Sequence, residues 1–264
     1  MIMKFLFTIY LLLATVSVYG PVDENCSIKN TSFKAGENVT YRIYYALAGV
    51  HFEAGNVQFN CVDEQLNGKA VYHITAIGKT IPFYDHLYKV RDRYETYIDT
   101  ASLLSYRFTR STLEGGAKKY ENIQFNREIH TAISDSGVFK VPPCVQDVLG
   151  ALYYIRNMPV DKLSPGDKIE FEMFLDNQLY KSYVRYIGKE TITTSFGKFR
   201  AIKIKPLLIK GSMFEAGEKM TVWVTDDPNH IPIRIQASIR IGNVKADLVD
   251  YQNSRWPFQR DIKK

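Results

Sequence analysis

Apolar and polar residues alternate strictly along much of this chain, and a period of two leaves few folds open. Val39, Tyr41, Ile43, Tyr45 and Leu47 take every second position, with Thr40 and Arg42 between. Leu104, Tyr106 and Phe108 alternate with Ser105, Arg107 and Thr109, and Ile169, Phe171 and Met173 with Lys168, Glu170 and Glu172. The longest run is Ile231, Ile233, Ile235, Ala237, Ile239 and Ile241, whose other face carries Arg234, Gln236, Ser238 and Arg240. Val244, Ala246 and Leu248 resume the pattern after Gly242-Asn243. Successive side chains on a strand point to opposite faces. These segments therefore read as strands with one apolar and one polar face, as in antiparallel sheets.

Turn residues punctuate the runs: Asn67-Gly68, Gly115-Gly116, Asp135-Ser136-Gly137, Asp176-Asn177 and Asp226-Asp227-Pro228-Asn229. The expected fold is mainly β, an antiparallel curled sheet or open barrel of about a dozen strands with one main α-helix. The helix is expected after Pro142-Pro143, where Val145, Val148, Leu149 and Leu152 follow at i, i+3, i+4, i+7 and Asn157-Met158-Pro159 stops the pattern. That face should pack on the sheet, with Gln146 on a more polar side. Ile81–Val90 holds a weaker helical signal, interrupted by Pro82.

Residues Met1 to Gly20 carry one lysine, an apolar core from Phe5 to Leu13 and small residues at Ala14, Ser17 and Gly20. This reads as a secretory signal peptide, and its apolar run is too short to span a bilayer. Residues 21–254 then read as a single β-rich domain and 255–264 as a flexible charged tail. Cys26 follows Asp23-Glu24-Asn25, which is no lipoprotein box, so the expected location is exported, periplasmic and soluble, with no transmembrane helix in the mature chain. Hydrophobic residues make up 45% and charged residues 23%, which excludes a disordered chain. Lys and Arg exceed Asp and Glu by 34 to 28, but they lie scattered on strand polar faces, and nucleic acid is not an expected partner.

An oxidising compartment allows three cysteines one disulfide. Cys61 shares a strand face with Val57 and Phe59 and reads as a small buried hydrophobe, leaving Cys26 with Cys144 by elimination. No G-x-S-x-G elbow, phosphate loop or H-E-x-x-H stands in the sequence, and neither a cofactor nor a metal is implied. Asp226 and Asp227 form the sharpest carboxylate pair, with His230 close by. Turn chemistry explains them more simply than acid–base catalysis does. His86 could face a ligand, but a partly buried loop histidine is the plainer reading. Trp223 lies on the opposite face from Met220, Val222 and Val224, packed in a core or lining a cavity.

The run Phe196-Gly197-Lys198-Phe199-Arg200-Ala201, then Phe214-Glu215-Ala216-Gly217-Glu218-Lys219-Met220, Val222-Trp223-Val224-Thr225-Asp226-Asp227-Pro228-Asn229-His230-Ile231-Pro232 and Gly242-Asn243-Val244-Lys245-Ala246-Asp247-Leu248 resembles the exported bacterial proteins of domain-of-unknown-function family 3108. Phe33-Lys34-Ala35-Gly36-Glu37, Gln146-Asp147-Val148-Leu149 and Tyr153-Tyr154-Ile155-Arg156-Asn157 extend the resemblance over nearly the whole mature chain. It implies a β-rich protein of the periplasm and no activity. Catalysis is therefore not the favoured reading. The expected function is non-catalytic binding of an apolar or lipid-like ligand, or of an envelope protein. A hydrolase acting on envelope glycan or lipid, using Asp226, Asp227, His230 or His86, is the alternative.

Overall fold

The computed structural model describes Cys26 and residues 28–47, 50–209, 216–239 and 242–258. The expected signal peptide, residues 1–20, lies outside the described residues, as do Phe214, Glu215, Arg240, Ile241 and the end of the expected tail from residue 259.

The alternating runs do become strands. The first eight are β1 (Asn38–Leu47), β2 (Val50–Leu66), β3 (Lys69–Thr80), β4 (Val90–Asp99), β5 (Ser105–Glu114), β6 (Ala117–Asn126), β7 (Thr131–Ser134) and β8 (Gly137–Lys140). A short helix, α1 (Pro82–Tyr88), interrupts them between β3 and β4. After α2 (Val148–Ile155) come β9 (Lys168–Leu175), β10 (Gln178–Thr194), β11 (Gly197–Pro206), β12 (Met220–Thr225), β13 (Pro232–Ser238) and β14 (Asn243–Gln252). Every ladder is antiparallel, and the fourteen strands form one sheet in the order β8 to β1, then β14 back to β9. The halves join where β1 pairs β14, with Tyr41 opposite Leu248. Asp176 and Asn177 both have positive φ, 53° and 57°, as a two-residue type I′ hairpin requires.

The sheet curls without closing, since β8 and β9 are its two edges. Side chains span the gap. Phe125 of β6 and Phe139 of β8 pack on Phe174 of β9, with ring centroids 6.4 and 5.4 Å apart. The exposed backbone edge of β9 is capped by Gln146, whose N–H donates to Glu172 O and whose carbonyl accepts from Phe174 N, both at 2.9 Å.

The helix begins later than its periodicity predicts. Asp147 is the N-cap, its Oδ1 accepting from Leu149 N at 2.8 Å and Gly150 N at 2.7 Å. Gln146 therefore lies outside the helix and is fully buried. Its Oε1 accepts from Ser105 Oγ and its Nε2 donates to Leu103 O. A Cβ on Gly150 would sit 2.5 Å from Ser105 Oγ and 2.9 Å from Asp147 Oδ2, so this close approach of helix to strand needs glycine. Leu149 and Tyr153 enter the main core with Phe33, Ile74, Ile98 and Phe108, whereas Leu152, expected on the same face, is half exposed. The sheet-packed stripe of α2 runs through Leu149 and Tyr153, and Leu152 lies beside it.

Cys26 and Cys144 are joined by a disulfide, and Cys61 is a buried free thiol. The first residues of the expected tail are docked: Arg255 Nη1 donates to Phe33 O, Trp256 Nε1 to Thr31 O, and Phe258 packs on Phe199 and Tyr251. Among the described residues no helix is long and apolar enough to cross a membrane.

Candidate functional site

The concave face of the curled sheet encloses a cavity of about 770 Å³, within the size range of small-molecule sites. The strand alternation builds its walls. Ile169, Phe171 and Met173 of β9 line it from one side, and Met220, Val222 and Val224 of β12 from another. Tyr94 of β4 and Thr112 of β5 contribute from the first half of the sheet. The helix α2 packs against β4 and β9 and presents Val148, Ala151, Leu152 and Ile155 to the space. Leu152 thus belongs to the cavity wall.

The inner end is polar but fully partnered. Arg156 lines the cavity and pairs with the completely buried Glu37 through Nη1–Oε1 at 2.6 Å and Nη2–Oε2 at 2.9 Å. Arg156 Nε donates to Asn229 O at 3.1 Å, and Tyr251 Oη donates to Glu37 Oε2 at 3.2 Å. Burial pushes the phenols of Tyr41, Tyr153 and Tyr251 above their ordinary value.

The outer end, around the β5–β6 hairpin, carries charge. Arg110 forms an ion pair with Glu121, its Nη2 2.7 Å from Oε2, and also pairs with Asp176, which Lys119 pairs as well. These contacts tie the β9–β10 turn to β5 and β6, and so help hold the curl. Burial raises the Glu121 carboxyl, while for Asp176 burial is outweighed by bonds to Lys119 and Arg110, which lower it. Burial, with the Glu114 carboxylate nearby, pushes Asp92 up to about 6. The folded state therefore holds a proton that the unfolded chain releases near pH 4. That contribution to stability is complete below about pH 4 and is lost as pH rises through about 6. Asp92→Asn should flatten this part of the stability curve, measured by thermal melts across the interval. An unchanged slope would refute the role of Asp92.

The sequence-derived candidates do not assemble into a catalytic group. Asp226 pairs with Lys189 at 2.7 Å and with Arg200 at 2.7 Å. Asp227 Oδ1 accepts from Thr225 Oγ1 at 2.8 Å and Asn229 N at 2.9 Å, which is turn chemistry. His230 lines the cavity, but its Nδ1 lies 2.6 Å from Arg156 O. His86 is exposed on α1, a separate element on β3, and not part-buried in a loop. Trp223 is buried on the face of β12 opposite the cavity-lining positions, its Nε1 donating to Glu190 Oε1 at 2.5 Å under Lys203 Nζ. Among the described residues no three His, Cys, Asp or Glu side chains cluster to hold a metal.

A family model described as protein of unknown function, DUF3108, matches residues 40–249. No curated protein matches the chain. Among solved structures, a β-barrel-like protein of domain of unknown function DUF1849 from Brucella abortus aligns with a TM-score of 0.52 at 8% identity, covering 82% of this chain and 97% of that one. A Bacteroides fragilis protein with a YmcC-like fold covers 86% of this chain and 100% of its own at 12% identity, with a TM-score of 0.34. The first likeness concerns the fold alone.

Proposed function

For a chain that belongs to the DUF3108 family, whose function is unknown, we propose a non-catalytic binding protein that holds an apolar, lipid-like ligand inside its curled sheet. The observation that carries this reading is the cavity: about 770 Å³, walled by apolar side chains from both halves of the sheet and from α2. A packed core would leave no such space, because protein interiors fill to crystal-like density. The leader pattern in residues 1–20 supports a site of action outside the cytoplasm. The disulfide fits an oxidising compartment. Asp226 is engaged by Lys189 and Arg200, Asp227 Oδ1 by its turn and His230 Nδ1 by Arg156 O, which favours the binding reading over the hydrolase one.

Native mass spectrometry of protein purified from its own envelope tests the proposal. A retained lipid-sized mass is the expected result. Leu152→Arg should abolish that mass while shifting the melting temperature little, because the side chain is already 50% exposed. A protein that carries no ligand from its native source, or a variant that carries as much as wild type, would count against it.

A further inference from the structure

The helix α1 is built inside out. It contains no buried residue, and its large apolar side chains face solvent: Phe83 is 71% exposed and Leu87 75%. Its polar side does the anchoring. Asp85 accepts from Thr80 Oγ1 at 2.5 Å and from Arg91 Nη1 at 3.0 Å, and Arg91 is held in turn by the Thr80 hydroxyl. A part-exposed ion pair ties the helix down while its two large hydrophobes face outward, which reverses the usual arrangement of a surface helix. Exposed apolar side chains grouped on one element mark interaction sites.

The surroundings of α1 define the partner. Tyr88 lies over Gly115, where an added Cβ would come within 2.4 Å of its ring, and Gly115 N donates to Lys89 O at 2.9 Å. The helix therefore rests on the β5–β6 hairpin, and Lys118 and Lys119 of that hairpin are exposed while lining the cavity. Their exposure places an opening of the cavity beside α1. Lys79 and Lys89 flank α1 in the chain and Lys118 lies on the hairpin beneath Tyr88, all three exposed; Asp85, the acidic residue within α1, is neutralised by Arg91, and Asp92 and Glu114, the carboxylates near Tyr88, are part-buried. Protruding apolar side chains with exposed lysines on the flanking segments are the chemistry that binds an anionic bilayer surface.

We propose that α1 docks on anionic membrane, with Phe83 and Leu87 inserted among the headgroups and the cavity opening held at the bilayer surface. The use of that opening for ligand exchange rests on the binding-protein reading; the insertion of α1 does not.

The test is cosedimentation of the full protein with vesicles of phosphatidylethanolamine and phosphatidylglycerol in equal parts. Binding is expected, weaker at high salt and much weaker to phosphatidylcholine alone. Phe83→Ser with Leu87→Ser should lower the vesicle affinity on the order of tenfold or more, since each buried large side chain contributes substantially to transfer. The melting temperature should hold, because neither side chain is in the core. Lys89→Glu alone should weaken binding to the anionic vesicles only. Absence of vesicle binding, or equal binding by wild type and the double variant, overturns the proposal. So does a double variant that merely turns a dimer into a monomer while neither form binds vesicles. Failure of the cavity reading is separable: the double variant should keep any copurified lipid, and Leu152→Arg should dock as wild type does.

Discussion

Arg156→Met is expected to destabilise the protein by about 3–5 kcal/mol, the usual consequence of stranding one member of a buried ion pair. Glu37 is 1% exposed, and Arg156 supplies two of the hydrogen bonds to its carboxylate. The same guanidinium bonds Asn229 O and Ser32 O, so two segments distant from it in the chain, Ser32 to Glu37 and the turn at Asn229, lose a shared partner. Adding Glu37→Gln to the variant removes the stranded charge and should recover part of the loss. Denaturant melts of the single and double variants decide the matter. A single variant within about 1 kcal/mol of wild type would show that water or a neighbour compensates Glu37.

Loss of the Cys26–Cys144 disulfide should be comparably large. The two residues are 118 positions apart, and cross-linking a loop of that length restricts the unfolded chain by about 4–5 kcal/mol in the entropic description. Cys26 is completely buried, so Cys26→Ser also buries a hydroxyl. Melting with and without reductant measures the effect. Cys61 provides an internal check, because burial pushes its thiol well above the ordinary value and it should resist alkylation until the protein unfolds. A melting temperature indifferent to reductant would refute the stabilising role, and rapid native labelling of Cys61 would refute its burial.

The alternation of Ile169, Phe171 and Met173 was enough to place β9 and to say which of its side chains share a face. The same holds for Met220, Val222 and Val224, and for Trp223 opposite them. The turn residues Asp176-Asn177 marked their hairpin because few residues tolerate positive φ. Leu152 was misplaced because the apolar side of α2 is divided between the core, which takes Leu149 and Tyr153, and the cavity, which takes Leu152, and Gln146 for a different reason. Helical periodicity was extended back to Val145, whereas the buried Asp147 carboxylate starts the helix and leaves Gln146 to cap the β9 edge. His86 was read into a loop because Pro82 suggested a break, although proline is well tolerated in the first turn of a helix such as α1.

Local pattern determined the strands, their faces and most of their turns, since side-chain direction follows from backbone geometry within a few residues. Curl, cavity and ion pairs were decided by the tertiary structure. Whether an apolar strand face meets a packed core or an open space depends on what stands across from it. On β9, Phe174 meets β6 and β8 across the gap while Ile169, Phe171 and Met173 on the other face meet the cavity, and the order of fourteen strands sets both. Glu37 meets Arg156 across 119 residues, and Arg110 meets Asp176 across 66. Periodicity carries no record of such pairings, because it repeats every two residues and is the same for every register that keeps the apolar face inward.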